Sequence, residues 1–347
     1  MGEAVAHVGD DELRAWAEAV LRTLGATSGN ARLVARSLVD SDLRGYDTQG
    51  VWRLPDYADA ISKGVVAPAA TPREEPTGRA SLLVVDGHDG FGQVAADLAV
   101  RRLREVAADT GIAVAALRRS HHVGRLGAWV EHLAAHGLVG HALSQSNALM
   151  AAPGTATRLF GSNPMAWGLP ARSGPPVIVD FATSATSVGR VAAASARGDA
   201  LEHGMLVDAD GAPSSTPDAL FRGGALLPFG GHKGYGLSVL TDLLGGAVSG
   251  DGPASGTAYS GRHGVALLAV DPALWGGADR LLDDVERLRA TLAGTPHPTG
   301  PAPRLPGERA ADELERRLAD GIPLEEPWLR RLDELSDRLG VAVVSRS

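Results

Sequence analysis

The chain has 347 residues, 44% of them hydrophobic and 21% charged, and its formal net charge is -8. A chain of this length can bury a substantial core and divide into two lobes. The acidic balance argues against a nucleic-acid-binding surface, because phosphate contacts need concentrated positive charge. The lack of cysteine excludes disulfides, thiolate nucleophiles and cysteine-ligated metal sites.

The N-terminal segment gives no targeting signal. Residues 1–10 contain neither a basic stretch nor an apolar one, so we expect no secretory signal. No apolar run approaches the roughly twenty residues that span a membrane. We therefore expect a cytoplasmic protein with no membrane partner.

Helical periodicity dominates the first part of the chain. Helices are predicted at residues 10–24, 28–43, 53–63 and 93–108. Between the last two, the Pro- and Ala-rich segment 66–77 favours an extended connector, and residues 82–85 favour a strand.

The middle of the chain shows strand-like patterns instead of helical ones. Short β-like runs alternate with Gly- and Pro-rich turns, at residues 112–117, 138–144, 177–181 and 265–270. One helix is predicted among them, at residues 237–248. A proline-rich connector at 295–306 precedes two closing helices, predicted at 310–318 and 327–339. We expect a mixed α/β protein in which a discontinuous helical lobe, residues 1–118 and 296–347, flanks a central lobe, residues 119–295.

Glycines after the predicted strand 82–85 invite a dinucleotide-binding interpretation. Gly87, Gly90 and Gly92 follow the pattern G-x-x-G-x-G, whereas the fingerprint is G-x-G-x-x-G. No acidic residue ends a second strand at the expected distance. A plain turn before a helix is favoured over phosphate binding.

Polar side chains crowd a Gly-bounded turn at residues 42–57, before the predicted helix. Arg53 and Tyr57 are four residues apart and share one helical face. A guanidinium can hold a substrate carboxylate in a bidentate fork. Taken alone, the pair is better interpreted as a surface Arg stacked on Tyr, since such pairs are common.

Two adjacent histidines follow the predicted strand 112–117. His121 or His122 could act as a general acid. A metal site is disfavoured, because neighbouring histidines often diverge and no third ligand is apparent. One of the two could be purely structural.

Two turns have the chemistry of an anion site. The predicted strand 177–181 ends in Ala-Thr-Ser, whose amides and hydroxyls could meet a phosphate. The Gly-rich segment 230–236 precedes a predicted helix and contains Lys233, one of only two lysines. A helix N-terminus and a positive side chain both favour an anion, although the spacing is not that of a P-loop.

Together these segments resemble the malate/L-lactate/ureidoglycolate dehydrogenase family, which includes diketogulonate and cyclic-imine reductases. The motifs keep their order, at residues 44–57 (R-G-x-D-x-x-G-V-x-R-L-P-x-Y), 122–127 (H-x-G-x-x-G), 161–164, 179–184, 231–237 and 305–308. The resemblance implies an NAD- or NADP-dependent oxidoreductase, a homodimer, and a non-Rossmann fold with a largely antiparallel central sheet.

The resemblance also implies roles for residues. Arg53 and Tyr57 fall where relatives hold the substrate carboxylate, which overturns the preference for a surface pair, and His122 matches an acid/base histidine. Contacts to the cofactor are implied for Ser146, Asp180, Phe181, Ala182, Lys233, Gly307 and Glu308. The helical lobe would bind substrate and form the dimer, and the central lobe would bind the cofactor.

One position departs from the family pattern. Thr48-Gln49 stands where relatives usually carry Ser-His, and that histidine is the proton donor in some of them. Glutamine can form hydrogen bonds but cannot transfer a proton near neutral pH. The sequence therefore keeps one acid/base candidate, His122, and lacks the other.

Three hypotheses follow. The leading one is hydride transfer at C2 of a small 2-keto or 2-hydroxy acid, in which Arg53 orients the carboxylate. Gln49 and Thr48 would then hydrogen-bond the reacting heteroatom, and His122 would exchange the proton. The second is reduction of a cyclic or N-substituted imine carboxylate, since an imine can arrive already protonated and needs less help from a protein acid. The third is a binding protein that has lost catalysis, against which the complete polar set weighs.

Overall fold

The computed structural model describes residues 5–250, 252–255 and 261–344. The α-helices in these residues are α1 (Asp10–Thr23), α2 (Ser28–Leu43), α3 (Leu54–Ser62), α4 (Gly92–Thr110), α5 (Leu126–Ala134), α6 (Val188–Arg197), α7 (Asp218–Phe221), α8 (His232–Ser249), α9 (Ala278–Ala293), α10 (Glu308–Asp320) and α11 (Glu326–Leu339). The strands are β1 (Val5–Val8), β2 (Arg73–Glu75), β3 (Leu82–Gly90), β4 (Ile112–Ser120), β5 (Val139–Ser144), β6 (Met150–Ala151), β7 (Arg158–Phe160), β8 (Met165–Leu169), β9 (Val177–Phe181), β10 (Leu206–Val207), β11 (Pro213–Ser214), β12 (Ala225–Leu226), β13 (Val265–Val270) and β14 (Ile322–Glu325).

A seven-stranded sheet forms the centre, in the order β2-β3-β4-β13-β5-β8-β9. Its neighbouring strands are antiparallel except for the parallel pair β3 and β4. Alternation along β4 buries Ala113, Ala115 and Leu117 under α4, while Ile112 and Val114 face outward. The predicted mixed α/β fold with a largely antiparallel sheet is confirmed.

A second core is helical and joins the two ends of the chain. Leu13, Leu38 and Leu54 pack with Ile322 and Leu332 from the C-terminal segment. Strands β1 and β14 pair antiparallel beside this core. A five-stranded sheet, in the order β11-β10-β12-β6-β7, carries a smaller core of its own.

The predicted lobe boundary at residue 118 falls inside β4. Leu83 and Val85 of β3 are buried in the core of the central sheet with Ala115. The division of the chain into two lobes, and of substrate and cofactor binding between them, stays a prediction.

Several predicted elements coincide with the observed ones, and the exceptions have local causes. α2, β9 and β13 have the predicted bounds. Only one helix is predicted between residues 112 and 272, but α5, α6 and α7 also lie there. They were not predicted because each is too short to display a long apolar period. α8 begins at His232, five residues before its predicted start. No helix of the described residues is long and apolar enough to cross a membrane.

Candidate active site

Asp42 holds the turn that carries Thr48 and Gln49. This carboxylate is buried at the end of α2, and its Oδ2 accepts the backbone N–H of Val51 at 2.9 Å. Burial raises the pKa of Asp42 well above its usual value. A Cβ at Gly50 would overlap the Asp42 carboxylate, so this close approach requires glycine.

Arg317 fixes the same turn from the opposite side. It is 7% exposed, and its Nη1 donates to the backbone oxygen of Asp42 at 2.7 Å. The guanidinium also pairs with Asp47 and donates from Nε to Glu313 at 2.6 Å. Helix α10 thus anchors the turn that carries Thr48 and Gln49.

Four side chains form a continuous chain of hydrogen bonds beside that turn. Nε2 of Gln93 lies 2.7 Å from Oη of Tyr57. The same Oη lies 2.7 Å from Nδ1 of His122, and Nε2 of His122 lies 2.9 Å from Oε1 of Gln49. Gln93 is fully buried in α4 and Tyr57 is buried in α3. The predicted Gln49, Tyr57 and His122 are therefore brought together, although the contact of Tyr57 with a substrate carboxylate stays a prediction.

His122 is held neutral in this arrangement. Burial, followed by the nearby Arg53 and His263, holds the pKa of His122 well below its usual value. Burial also raises the pKa of Tyr57, which stays protonated. At neutral pH this chain of four hydrogen-bonded side chains therefore contains only uncharged groups.

Arg53 places a positive charge beside these side chains. Its Nε donates to the backbone oxygen of Thr48 at 2.9 Å, and its Nη1 lies 3.6 Å from the exposed carboxylate of Asp56. The side chain of Thr48 packs against Gly189, where a Cβ would overlap it. These contacts orient the guanidinium, whose terminal nitrogens could bind a carboxylate.

His263 is a site residue that the sequence reasoning missed. Its ring is edge-on to His122, with 6.0 Å between ring centroids. Its backbone N–H donates to Ser120 at 2.8 Å, and burial lowers the pKa of His263 to about 4. The sequence shows a histidine just before the predicted strand 265–270. It does not show that this strand pairs with the strand that precedes His122.

Gln93 was also missed, although it carries a signal. It continues the buried helical face formed by Ala96, Val100, Leu103 and Ala107. A polar residue on an apolar helix face needs a hydrogen-bond partner. Here that partner is Tyr57.

The segments predicted to bind the cofactor are linked by short hydrogen bonds. The N–H of Ser146 donates to Oδ1 of Asn163 at 3.1 Å, and Nδ2 of Asn163 donates to the backbone of Ser238 in α8 at 3.1 Å. The N–H of Phe229 donates to Thr183 at 3.1 Å. Ser146 is thus joined to α8 through Asn163, and the 182–184 turn to the segment before α8; we call this region the candidate cofactor surface.

Lys233 gives that surface its positive charge. It is exposed in the first turn of the 18-residue helix α8, after Gly230 and Gly231, whose φ values are 54° and 62°. A Cβ at Gly231 would meet nothing within 4 Å. Among the described residues, Lys233 forms no ion pair. A helix N-terminus with an exposed lysine fits the diphosphate of a nicotinamide dinucleotide.

The remaining predicted cofactor residues adjoin β9. Oδ2 of Asp180 accepts the N–H of Gly127 at 2.7 Å, and burial raises the pKa of Asp180. Phe181 lies edge-on to Phe229, with ring centroids 5.6 Å apart, and Ala182 is half-buried at the end of the strand.

The turn before α10 packs beside β9 as well. The N–H of Ile178 donates to Pro306 at 2.9 Å, and Gly307 adopts a φ of 103°. Both carboxylate oxygens of Glu308 accept protein hydrogen bonds, from Arg289 at 2.8 Å and from Leu305 at 3.1 Å. A ligand at this turn would therefore contact its backbone.

Comparison with known proteins identifies the family of this chain. Residues 8–333 match the family model described as malate/L-lactate dehydrogenase. The chain is 35% identical to Delta(1)-pyrroline-2-carboxylate/Delta(1)-piperideine-2-carboxylate reductase of Pseudomonas syringae pv. tomato, over 90% of this chain and 91% of that protein. It is 32% identical to hydroxycarboxylate dehydrogenase B of Escherichia coli (strain K12), over 95% and 93% of the two chains.

Solved structures have the same fold. Malate dehydrogenase from Pyrococcus horikoshii OT3 superposes with a TM-score of 0.88 at 28% identity, covering 99% of each chain. The delta1-piperideine-2-carboxylate reductase from Pseudomonas syringae pv. tomato gives 0.84 at 34% identity, over 95% and 99% of the chains. The protein therefore belongs to the malate/L-lactate dehydrogenase family, and it is a dehydrogenase or reductase.

Proposed function

We propose that this enzyme reduces a small cyclic imino carboxylate and that 2-keto acids are poorer substrates. The observation that carries the proposal is the contact of His122 with Gln49 at 2.9 Å. One group is an imidazole held neutral and the other is an amide, so neither is a ready proton donor near neutral pH. This reverses the order of the two sequence-based hypotheses.

The protonation states favour an imine over a carbonyl. A carbonyl oxygen becomes an alkoxide when C2 receives a hydride, and it needs a proton donor. A cyclic imine can bind as the iminium, and hydride addition then gives a neutral amine without further proton transfer. Oε1 of Gln49 can accept a hydrogen bond from the iminium N–H. Relatives 34–35% identical to this chain are cyclic imino carboxylate reductases.

Arg53 would bind the substrate carboxylate. Its Nε is held by Thr48, which fixes the guanidinium plane next to His122. Guanidinium and carboxylate make charge-assisted, bidentate hydrogen bonds, and these set the orientation of C2.

Lys233, Ser146 and the 182–184 turn would hold the cofactor. When bound, its nicotinamide ring supplies the hydride. The positive end of α8 and Lys233 would bind the diphosphate. The choice between NAD and NADP is a question for the assay.

The test is turnover of purified enzyme with NADH and NADPH against paired panels of cyclic imino acids and 2-keto acids. We expect kcat/KM for the best imine to exceed that for the best keto acid by at least about tenfold, which corresponds to about 1.4 kcal/mol. Equal values, or a preference for keto acids, would overturn the proposal.

Reversible conversion of a 2-hydroxy acid is the second candidate, favoured by the proximity of Arg53 to His122. A bound carboxylate would neutralise Arg53, whose charge lowers the pKa of His122, and so make His122 easier to protonate. If this function is correct, His122→Asn should lower keto-acid kcat by about a hundredfold or more. Unchanged keto-acid turnover would exclude His122 as the donor.

The assembly we propose is a homodimer that covers the outer face of α8, which lies in the predicted central lobe and not in the helical lobe where the dimer contact is expected from the sequence. Leu240, Leu243 and Leu244 share this face and are 49%, 58% and 44% exposed. A cluster of exposed leucines on one helix is typical of a protein interface. Light scattering should give twice the monomer mass, and Leu243→Glu should shift the protein towards monomer. A wild-type monomer would contradict this assembly.

A further inference from the structure

We propose that Gln93, a residue outside the substrate cleft, determines which nitrogen of His122 carries the proton. It would act through Tyr57 as a positioning residue. The inference builds on the proposed role of His122 in the reductase, but its first test needs no substrate.

The direction of each hydrogen bond follows from the donors available. The amide nitrogen of Gln93 can only donate, so Oη of Tyr57 accepts at 2.7 Å. The single hydroxyl proton of Tyr57 is then directed to Nδ1 of His122, also at 2.7 Å. Nδ1 is therefore an acceptor. A neutral imidazole must then carry its proton on Nε2.

The opposite end of the chain agrees with this assignment. Nε2 of His122 faces Oε1 of Gln49 at 2.9 Å, and this oxygen can only accept. Each of the three hydrogen bonds thus has its donor on the side of α4 and its acceptor on the side of the cleft. His122 presents an N–H, and not a lone pair, on the substrate side.

Gln93 is the member of the chain whose rotation would reverse it. If its amide turned by 180°, Tyr57 would donate to the amide oxygen and accept from Nδ1 of His122. Nε2 would then be a bare acceptor. The amide of Gln49 would then also have to turn, because its Oε1 could not face a bare Nε2 at 2.9 Å. The Gln93 amide therefore sets the tautomer together with the amide of Gln49.

The side chain of Gln93 is enclosed by the protein. It is 0% exposed and lies beside Gly124, where an added Cβ would be 3.4 Å from Cγ of Gln93. Oε1 of Gln93 has no hydrogen-bond partner among the described residues. An uncompensated acceptor in the interior costs about 1–3 kcal/mol. A purely structural glutamine would be expected to satisfy both of its amide ends.

The first experiment is nuclear magnetic resonance of the wild-type enzyme with isotope-labelled histidine, above pH 7. The signals of His122 are identified by their loss in His122→Asn. We expect a single tautomer protonated on Nε2, with Nδ1 accepting a hydrogen bond. Protonation on Nδ1 would overturn the proposal, whatever the enzyme reduces.

The second experiment removes the polar end of Gln93 with Gln93→Met, which keeps its length. We expect kcat to fall about tenfold with little change in the substrate KM, because Arg53 still binds the carboxylate. Tyr57→Phe should have a similar effect, and the double variant should lose no more than either single one. Additive losses, or an unchanged kcat, would contradict the proposal.

Asn30→Leu is the matched control. Asn30 is also a buried amide, and its Nδ2 donates to backbone oxygens of Pro68 and Ala70 at 2.9 and 3.0 Å, apart from the chain. This variant should lower the unfolding temperature but leave the His122 signals and kcat unchanged. We expect Gln93→Met to shift the His122 signals, and an equal shift in the control would mean that general destabilisation, and not positioning, is responsible. The kcat comparison uses whichever substrate is reduced, so failure of the imine assignment does not affect it.

Discussion

The two sides of the active site are built differently. The substrate side is a chain of side-chain hydrogen bonds among buried or half-buried groups, from Gln93 to Gln49. The proposed cofactor side is joined mainly by hydrogen bonds to the backbone of turns, several of them from Asn163, and its charge comes from the exposed Lys233. Preorganised side chains favour one geometry of the reacting atoms, whereas a helix N-terminus and a lysine bind an anion without fixing its chemistry. We therefore expect substitutions on the two sides to change different kinetic constants.

The largest effect should come from removing the charge on the substrate side. Arg53→Met should lower kcat/KM by about a hundredfold or more, because the loss of one partner from a buried charge pair costs about 2–5 kcal/mol. Arg53→Lys keeps the positive charge but cannot form the bidentate hydrogen bonds, so this variant should retain only part of the wild-type activity. Steady-state kinetics with varied substrate measures both variants. A loss confined to the cofactor KM would remove the distinction between the two sides.

A smaller effect, on the KM for the cofactor and not on the KM for the substrate, is expected on the cofactor side. Lys233→Gln should raise the KM for the cofactor about tenfold, equivalent to about 1.4 kcal/mol, since the lysine is exposed and solvent screens its charge. The substrate KM should stay nearly constant. Lys63, the other lysine, is exposed on the C-cap of α3, and Lys63→Gln is a suitable control. Equal changes in both variants would argue against a role for Lys233.

A further effect, which needs neither substrate nor cofactor, should be on stability and should depend on pH. An unfolded histidine binds a proton near pH 6.5, whereas burial lowers the pKa of His263 to about 4 in the fold. Between these values the unfolded state binds more protons, so the free energy of unfolding should fall as the pH falls from about 6.5 to about 4. His263→Asn should flatten this dependence in urea unfolding. An identical slope in the variant would mean that His263 is solvated.

Local patterns predicted the elements, and tertiary contacts account for what was missed. Helix α2 has a clear apolar period and an N-cap at Thr27, so its bounds follow from the sequence. The shared face of Arg53 and Tyr57 follows from their spacing. The contact of Tyr57 with His122 joins residues 65 positions apart, and that with Gln93 joins residues 36 apart. No local pattern encodes such distances, so the hydrogen-bond chain became visible only in the fold.

The central claim is that Gln49 adapts the site to a substrate that arrives already protonated. The most direct test compares kcat/KM for the best imine and the best keto acid in the wild type and in Gln49→His. A histidine at this position restores a group that can donate a proton near neutral pH. We predict that the ratio of keto-acid to imine activity rises at least about tenfold in the variant, or about 1.4 kcal/mol. An unchanged ratio would contradict the claim, since residue 49 would then not determine which bond the enzyme reduces.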